Sequence, residues 1–173
     1  MAENQNNPMK SVYLEKVTIN ICVGNDPKAL EKAEKLLVKM TNRTPVNNTA
    51  RKRIARWRIR RGVAIGKKVT LRGKEARDFL KWVLESKENK LNFKSIDENG
   101  NFSVGFPEYL EMKGLKYDAE IDIMGFEVMA TFARRGFRIK RRRLAPGKTP
   151  QRHKTNREEV SHYLKENYGV VIE

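Results

Sequence analysis

The chain of 173 residues has one cysteine, two histidines and few aromatics, 8% in all. A lone Cys22 excludes an internal disulfide and fits a reducing compartment. It sits inside an apolar run, so it reads as a buried structural thiol rather than a nucleophile. Neither His153 nor His162 has a Cys or His partner at metal-ligand spacing, and no Ser–His or Cys–His pair can be assembled around them. No window approaches the roughly 18 apolar residues of a membrane span. The first residues, Met1 to Pro8, are Asn-rich without a hydrophobic run, so residues 1–9 read as a flexible tail and not as a secretory signal. Apolar content of 39% is low for a globular chain. The length still allows a core, and residues 10–173 read as one domain.

Acid is also missing, but only locally. The formal net charge is +16. Arg51 to Arg72 carries ten Lys/Arg and no Asp or Glu, and Arg134 to Arg157 carries eleven and again no acid. The rest of the chain holds 16 basic and 21 acidic residues. A near-neutral body thus bears two purely cationic segments. A solubilising surface usually mixes signs. Segregated cations suit a polyanion with closely spaced phosphates, because each neutralised phosphate releases a condensed counterion. Nucleic acid is the partner this pattern favours.

Several elements are legible. Lys16 to Val23 alternates, with Val17, Ile19, Ile21 and Val23 on one face and Thr18, Asn20 and Cys22 on the other, as a half-buried strand does. Asp26-Pro27 caps a helix to about Met40 whose stripe is Leu30, Ala33, Leu37 and Met40. A strand is expected over Val63 to Leu71. A helix follows from Lys74 to about Ser86, with Phe79, Leu80, Val83 and Leu84 inward. Phe102, Val104 and Phe106 alternate up to Pro107. Glu120 to Phe132 is the longest strand candidate, with a bend at Gly125. Thr155 and Glu158 have the spacing of a capping box for a last helix, with Val160, Tyr163 and Leu164 inward and Gly169 as its stop. Mixed elements with one polar strand face predict an α+β fold: a largely antiparallel sheet, helices packed on one face, basic loops and a C-terminal helix.

Three constellations invite chemistry. Asp118, Glu120 and Asp122 would share one face of a strand and could hold Mg²⁺ for phosphodiester cleavage. The competing reading, favoured here, is a solvated strand face with Ile121, Ile123 and Phe126 inward. Gly62 to Lys68 departs from a phosphate-binding loop: it is one residue short between the glycines, and Lys68 stands where Ser or Thr would ligate a metal. The first basic segment interleaves Ile54, Trp57 and Ile59 with Arg51, Lys52, Arg53, Arg56, Arg58, Arg60 and Arg61. There Arg can contact phosphates and stack on bases. Trp57 either stacks on an unpaired base or pins the loop to the domain. In the second segment, Arg138, Lys140, Arg141, Arg142, Arg143, Lys148 and Arg152 read as an extended loop embedded in RNA, with Phe137 and Ile139 as docking points. The alternative there is a disordered tail. Basic loops are expected at residues 51–63 and 134–154.

In order along the chain, KVTINICVGN (Lys16 to Asn25), TNRTPVNNTARKR (Thr41 to Arg53), RIRRGVAIGKKVTLRG (Arg58 to Gly73), NFSVGFPEYLEMKGLKYD (Asn101 to Asp118) and MGFEVMATFARRGFRIKRRR (Met124 to Arg143) resemble one family: the universal large-ribosomal-subunit protein five, which binds 5S ribosomal RNA. The INICVG form and the helix after the second basic loop resemble its archaeal and eukaryotic branch. The resemblance implies a structural constituent of the large ribosomal subunit, cytoplasmic within the ribosome, without cofactor, metal or enzymatic activity. It implies that the protein grips 5S rRNA and helps attach it to the large-subunit rRNA in the central protuberance. A loop would reach P-site tRNA, and the other partners would be neighbouring ribosomal proteins of the protuberance; no homo-oligomer and no membrane are implied. Asn20 and Thr70 match family positions that hydrogen-bond 5S rRNA, and Arg43 stands where the family often has Gln. Arg43, Thr44, Lys52, Arg53, Lys67, Lys68 and Arg72 complete the expected 5S surface. Arg56, Trp57, Arg58, Arg60 and Arg61 belong to the loop implied to face tRNA or the large rRNA. Outside the ribosome the alternatives are an RNA-binding protein or RNA chaperone, or a metal-dependent nuclease using the three carboxylates.

Overall fold

Alternation makes the first strand, and its two faces organise the rest of the sheet. The computed structural model describes residues 7–172. Its elements in chain order are β1 (Val12–Cys22), α1 (Pro27–Thr41), β2 (Val46–Thr49), β3 (Ala64–Leu71), α2 (Gly73–Ser86), β4 (Lys90–Leu91), β5 (Phe102–Phe106), β6 (Phe126–Arg134), α3 (Arg138–Arg141), α4 (Arg157–Tyr168) and β7 (Val171–Ile172). Five strands form a mostly antiparallel sheet in the order β2-β3-β1-β6-β5, and β4 pairs in parallel with β7. The expected α+β class is therefore observed, with its C-terminal helix. Residues 1–6 of the expected tail lie outside the described residues. Residues 7–10 make a turn, with the Lys10 amide donating to the Asn7 carbonyl at 2.9 Å.

The chain divides into two compact units. One comprises residues 18–71 and 104–129. In it Ile19 and Ile21 of β1 are fully buried, and α1 packs on β3. Asp26 caps α1 through its carboxylate, which accepts from the Lys28 amide at 3.1 Å, and Pro27 occupies the first turn. The buried stripe of α1 is Ala33, Leu36, Leu37 and Met40, so Leu36 takes the core place expected of Leu30. A fully buried Leu contributes about 1.5–3 kcal/mol. Gly66 of β3 has a steric reason: a Cβ there would collide with the Ile21 carbonyl oxygen. Gly125 has another, since its Cβ would stand 2.9 Å from the Phe106 and Pro107 carbonyl oxygens.

The other unit comprises, among the described residues, 7–17, 72–103 and 130–172. Here Ala76, Phe79, Leu80, Val83 and Leu84 of α2 are buried, close to the expected face. Phe132 stacks on Phe102 at 6.0 Å and meets Tyr163 edge-on at 5.6 Å. Val160 and Leu164 of α4 are fully buried, and Gly169 ends the helix at φ +63°. The capping box lies one residue later than expected, at Asn156 and Glu159. Thr155 is drawn inward instead, its hydroxyl donating to the Asn99 carbonyl.

The largest correction concerns the three carboxylates. The strand expected from Glu120 begins at Phe126, and residues 118–122 form a turn in which the amides of Ile121 and Asp122 both donate to the Asp118 carbonyl at 3.1 Å. Their side chains do not share a strand face. Asp118 meets Lys39 at 2.9 Å, Glu120 meets Lys35 at 2.6 Å and Asp122 meets Lys32 at 3.2 Å. These lysines lie three and four residues apart on α1, so they project from one side of the helix. The turn lays one acid against each. Ile123, expected inward, is 53% exposed, while Ile121 and Phe126 are buried as expected.

Candidate nucleic-acid interface

β2 and β3 form an antiparallel hairpin, Val46 opposite Lys68 and Asn48 opposite Gly66, with a register shift at Asn48/Thr49. The long connection between them carries the first basic segment. It is closed rather than loose. The Ala50 amide donates to the Val63 carbonyl at 2.8 Å, and Ile54 and Ile59 exchange amide hydrogen bonds at 3.0 and 3.1 Å. A single 3-10 turn, Ala55–Trp57, and a left-handed Arg58 at φ 55° complete the tip. Ile59 is buried and holds the tip to its base.

Cross-strand clamping leaves the cations outside. Arg51, Lys52, Arg53, Arg56, Arg58, Arg60 and Arg61 are all exposed, and among the described residues none has an ion-pair partner. Trp57 is 64% exposed. At that exposure its ring is not buried in the domain. With Cys22, Gly24, Ala50, Ile54 and Ile59 it lines an open groove of about 420 Å³.

The sheet face beside this hairpin follows from alternation. Val69 and Leu71 of β3 point into the core, whereas Lys68 and Thr70 are exposed. Asn20 of β1 is half-buried, and its Oδ1 accepts a 2.5 Å hydrogen bond from the Asn48 side-chain amide. Asn48 is a polar group at this face that sequence reasoning misses. The sequence pattern places no strand at Val46–Thr49, although the Pro45 before it and the paired β3 are the signals that fit one. Cys22 also differs from expectation. It is exposed on the same face of β1, its Sγ 3.4 Å from the Ile65 carbonyl, because the apolar run around it alternates and puts it on the outer side.

Other expected phosphate contacts are distributed unevenly. Arg43 and Thr44 are exposed in the turn between α1 and β2. Lys67 occupies the α1 side of β3, where Nζ pairs with Glu34 at 2.7 Å and only 14% of the side chain is exposed. Its charge is met within the fold. Arg72, at the start of α2, reaches Glu15 at 3.4 Å.

The second basic segment is not the uniformly extended loop expected. It begins with Arg134, the buried last residue of β6, which pairs with Glu159 and donates to the Arg152 carbonyl. α3 spans Arg138–Arg141, and Arg141 makes a two-pronged pair with Glu15. The fork holds the Glu15 carboxyl below its ordinary range. Phe137 does dock, stacked on His153 at 5.9 Å, but Ile139 is 46% exposed. Arg138, Lys140, Arg142, Arg143, Lys148 and Arg152 are exposed.

The three-acid site has no geometry for a metal. Among the described residues no group of three or more His, Cys, Asp or Glu side chains is placed to hold one. Lys39 holds Asp118 below the usual aspartate range, and the Ile123 amide followed by Lys32 does the same for Asp122. Each carboxylate already has its cation.

Known proteins give the surface its context. A family model described as "Ribosomal protein L5" matches residues 7–60, and a second, described as the C-terminus of the same ribosomal family, matches residues 64–160. The chain is 44% identical to "Large ribosomal subunit protein uL5" of Sulfurisphaera tokodaii, over 99% of this chain and 98% of that one. It is 41% identical to the protein of that name from Nanoarchaeum equitans, over 95% and 98% of the two chains. With the one from Methanosphaera stadtmanae the identity is 40%, over 96% and 99%. Near-full-length agreement with archaeal relatives, across both the hairpin half and the C-terminal half, means that the chain belongs to the ribosomal protein L5 family, in its archaeal form.

Proposed function

We propose that this chain is a structural constituent of the large ribosomal subunit that binds 5S rRNA and helps attach it to the large rRNA in the central protuberance. It works as a scaffold and not as a catalyst. The observation that carries the reading is the set of seven exposed cations, without ion-pair partners among the described residues, on a hydrogen-bonded hairpin beside a polar sheet face. Phosphate contacts position an RNA, and hydrogen bonds from side chains such as Asn20 and Thr70 recognise its shape, ribose or base edges. Lys52, Arg53 and Lys68 supply the phosphate contacts of that face, with Arg43 and Thr44 at its margin. The hairpin tip, Arg56, Trp57, Arg58, Arg60 and Arg61, carries its charge on a closed turn and suits a second RNA, the elbow of P-site tRNA. Footprinting 5S rRNA with the purified chain tests the reading. Protection of one compact region, reduced by Asn20→Ala and Thr70→Ala, is expected. Protection that is diffuse and equal on unrelated RNA would favour a general RNA-binding protein instead.

A further inference from the structure

Glu15 shares the alternation of Val17, Ile19 and Ile21, so it is an acid on the apolar face of a strand, and its side chain is only 6% exposed. A carboxylate in that position needs a cation with good geometry. Arg141 provides it from 126 residues further along the chain: Nη2 donates to Oε2 at 2.6 Å and Nη1 donates to Oε1. Arg72 Nη1 adds a longer contact to Oε1 at 3.4 Å. A planar guanidinium bound at two points is fixed in direction as well as place.

Immediately beyond Arg141 the chain folds into a built knuckle. Arg142 Nε donates to the Ala145 carbonyl at 2.7 Å, and the Gly147 amide donates to the Ile139 carbonyl at 3.1 Å. Arg142 and Arg143 are exposed, and Leu144 is 81% exposed at the crest. The segment has no acid of its own, so like charges would drive it outward unless an acid elsewhere held it.

We propose that Glu15 is a positioning residue for RNA binding by the second cationic segment: its fork with Arg141 anchors the knuckle so that Arg142 and Arg143 meet phosphates in a fixed geometry. This rests on the reading that the chain binds rRNA, here extended to that segment. It opposes simple charge counting, in which removing an acid from an RNA-binding protein raises affinity. Here removing the acid lowers it, because the cations lose their preorganisation.

The test uses the full chain with transcribed 5S rRNA and transcribed large-subunit rRNA as separate probes, at about 0.1 M salt, where screening is moderate. The Arg142→Ala/Arg143→Ala variant first identifies which probe the knuckle touches. On that probe Glu15→Gln should weaken binding about threefold to tenfold, the scale of a lost charge-assisted contact. The same substitution should have no further effect in an Arg141→Ala background. Arg141→Lys keeps the charge and loses the fork, and should fall between the two; it serves if Glu15→Gln fails to fold by circular dichroism. Affinity for Glu15→Gln that equals or exceeds the parent, or parent affinity for Arg141→Lys, overturns the inference and leaves the rRNA reading standing. No loss in Arg142→Ala/Arg143→Ala on either probe removes the segment from the RNA surface and the inference with it. Loss of all rRNA binding by the unaltered chain would instead remove the underlying function.

Discussion

The two cationic segments carry nearly equal charge, ten basic residues against eleven, yet the fold treats them in opposite ways. The hairpin between β2 and β3 is held by its own backbone and by the buried Ile59, so it needs none of its arginines for structure. The segment after β6 is held by its arginines. Arg134 pairs with Glu159 and Arg141 pairs with Glu15, the first largely buried and the second still half exposed, and the other cations of the segment are left to solvent. α1 offers a third case, where Lys32, Lys35 and Lys39 each meet an acid of one turn. Charge along a chain shows where a field arises. Whether a given cation can serve a phosphate depends on whether a carboxylate distant in sequence has already taken it.

The sharpest break in the comparison comes from salt. If about five to eight phosphates are neutralised, log affinity for 5S rRNA against log salt should have a slope of roughly −4 to −7. Lys52→Ala and Arg53→Ala should each reduce the slope by about one, while Lys67→Ala, whose charge is met by Glu34, should barely move it. A near-flat salt dependence, or equal effects at all three positions, would erase the distinction between free and paired cations.

Stability separates neighbours within the second segment. Arg141→Ala leaves the buried Glu15 carboxylate with only the longer Arg72 contact at 3.4 Å and should cost about 2–4 kcal/mol in chemical denaturation, since breaking a buried pair leaves a poorly compensated charge. Arg142→Ala, on an exposed side chain, should stay within about 0.5 kcal/mol. Matching midpoints for the two variants would mean that the fork does not anchor the segment.

Recognition at the sheet face is expected to be smaller but specific. Asn20→Ala and Thr70→Ala should each weaken 5S rRNA binding by about 1–3 kcal/mol with circular dichroism unchanged. Parent-level binding in both variants would move recognition away from this face.

Acid should act on the paired regions and spare the hairpin, which has no carboxylate. Glu15 is lowered from 4.5, and Asp118 and Asp122 are lowered from 3.8. Each favours folding when ionised, so its contribution is complete above those values and is lost as pH falls through the lower folded ones. Melting temperature should therefore drop below about pH 4, and Asp118→Asn/Asp122→Asn should flatten that limb. Lys35 is raised above 10.5, chiefly by its hydrogen bond to Glu120, so its contribution is present below that value and is lost as pH rises through the folded one. An acid limb identical in the double variant would show that the pairs along α1 add nothing to stability.

The smallest effect concerns Trp57. If the hairpin tip faces a second RNA, adding 5S rRNA alone should leave its fluorescence nearly unchanged. Strong quenching, with binding lost on deletion of residues 55–63, would assign the tip to the 5S surface.

Much of this is legible in the chain. Alternation through Ile21 and a 3.6-residue stripe through Met40 depend only on neighbouring residues, so β1, α1, β3 and α2 can be located within a residue or a few. The two acid-free segments and the polar Asn20 and Thr70 on their strands are equally plain. The failures share a cause. Asp118, Glu120 and Asp122 alternate as a strand would, but their lysine partners lie 79 to 90 residues away and draw them into a turn. Glu15 stands just before the alternating run that begins at Lys16, and Arg141 is one arginine among many. Local pattern determined the strands, helices and the place of the positive charge, because those rest on spacing and on turn chemistry. Only the tertiary structure decided which charges remain free, because pairing a carboxylate with a cation is a matter of distance in space and not along the chain.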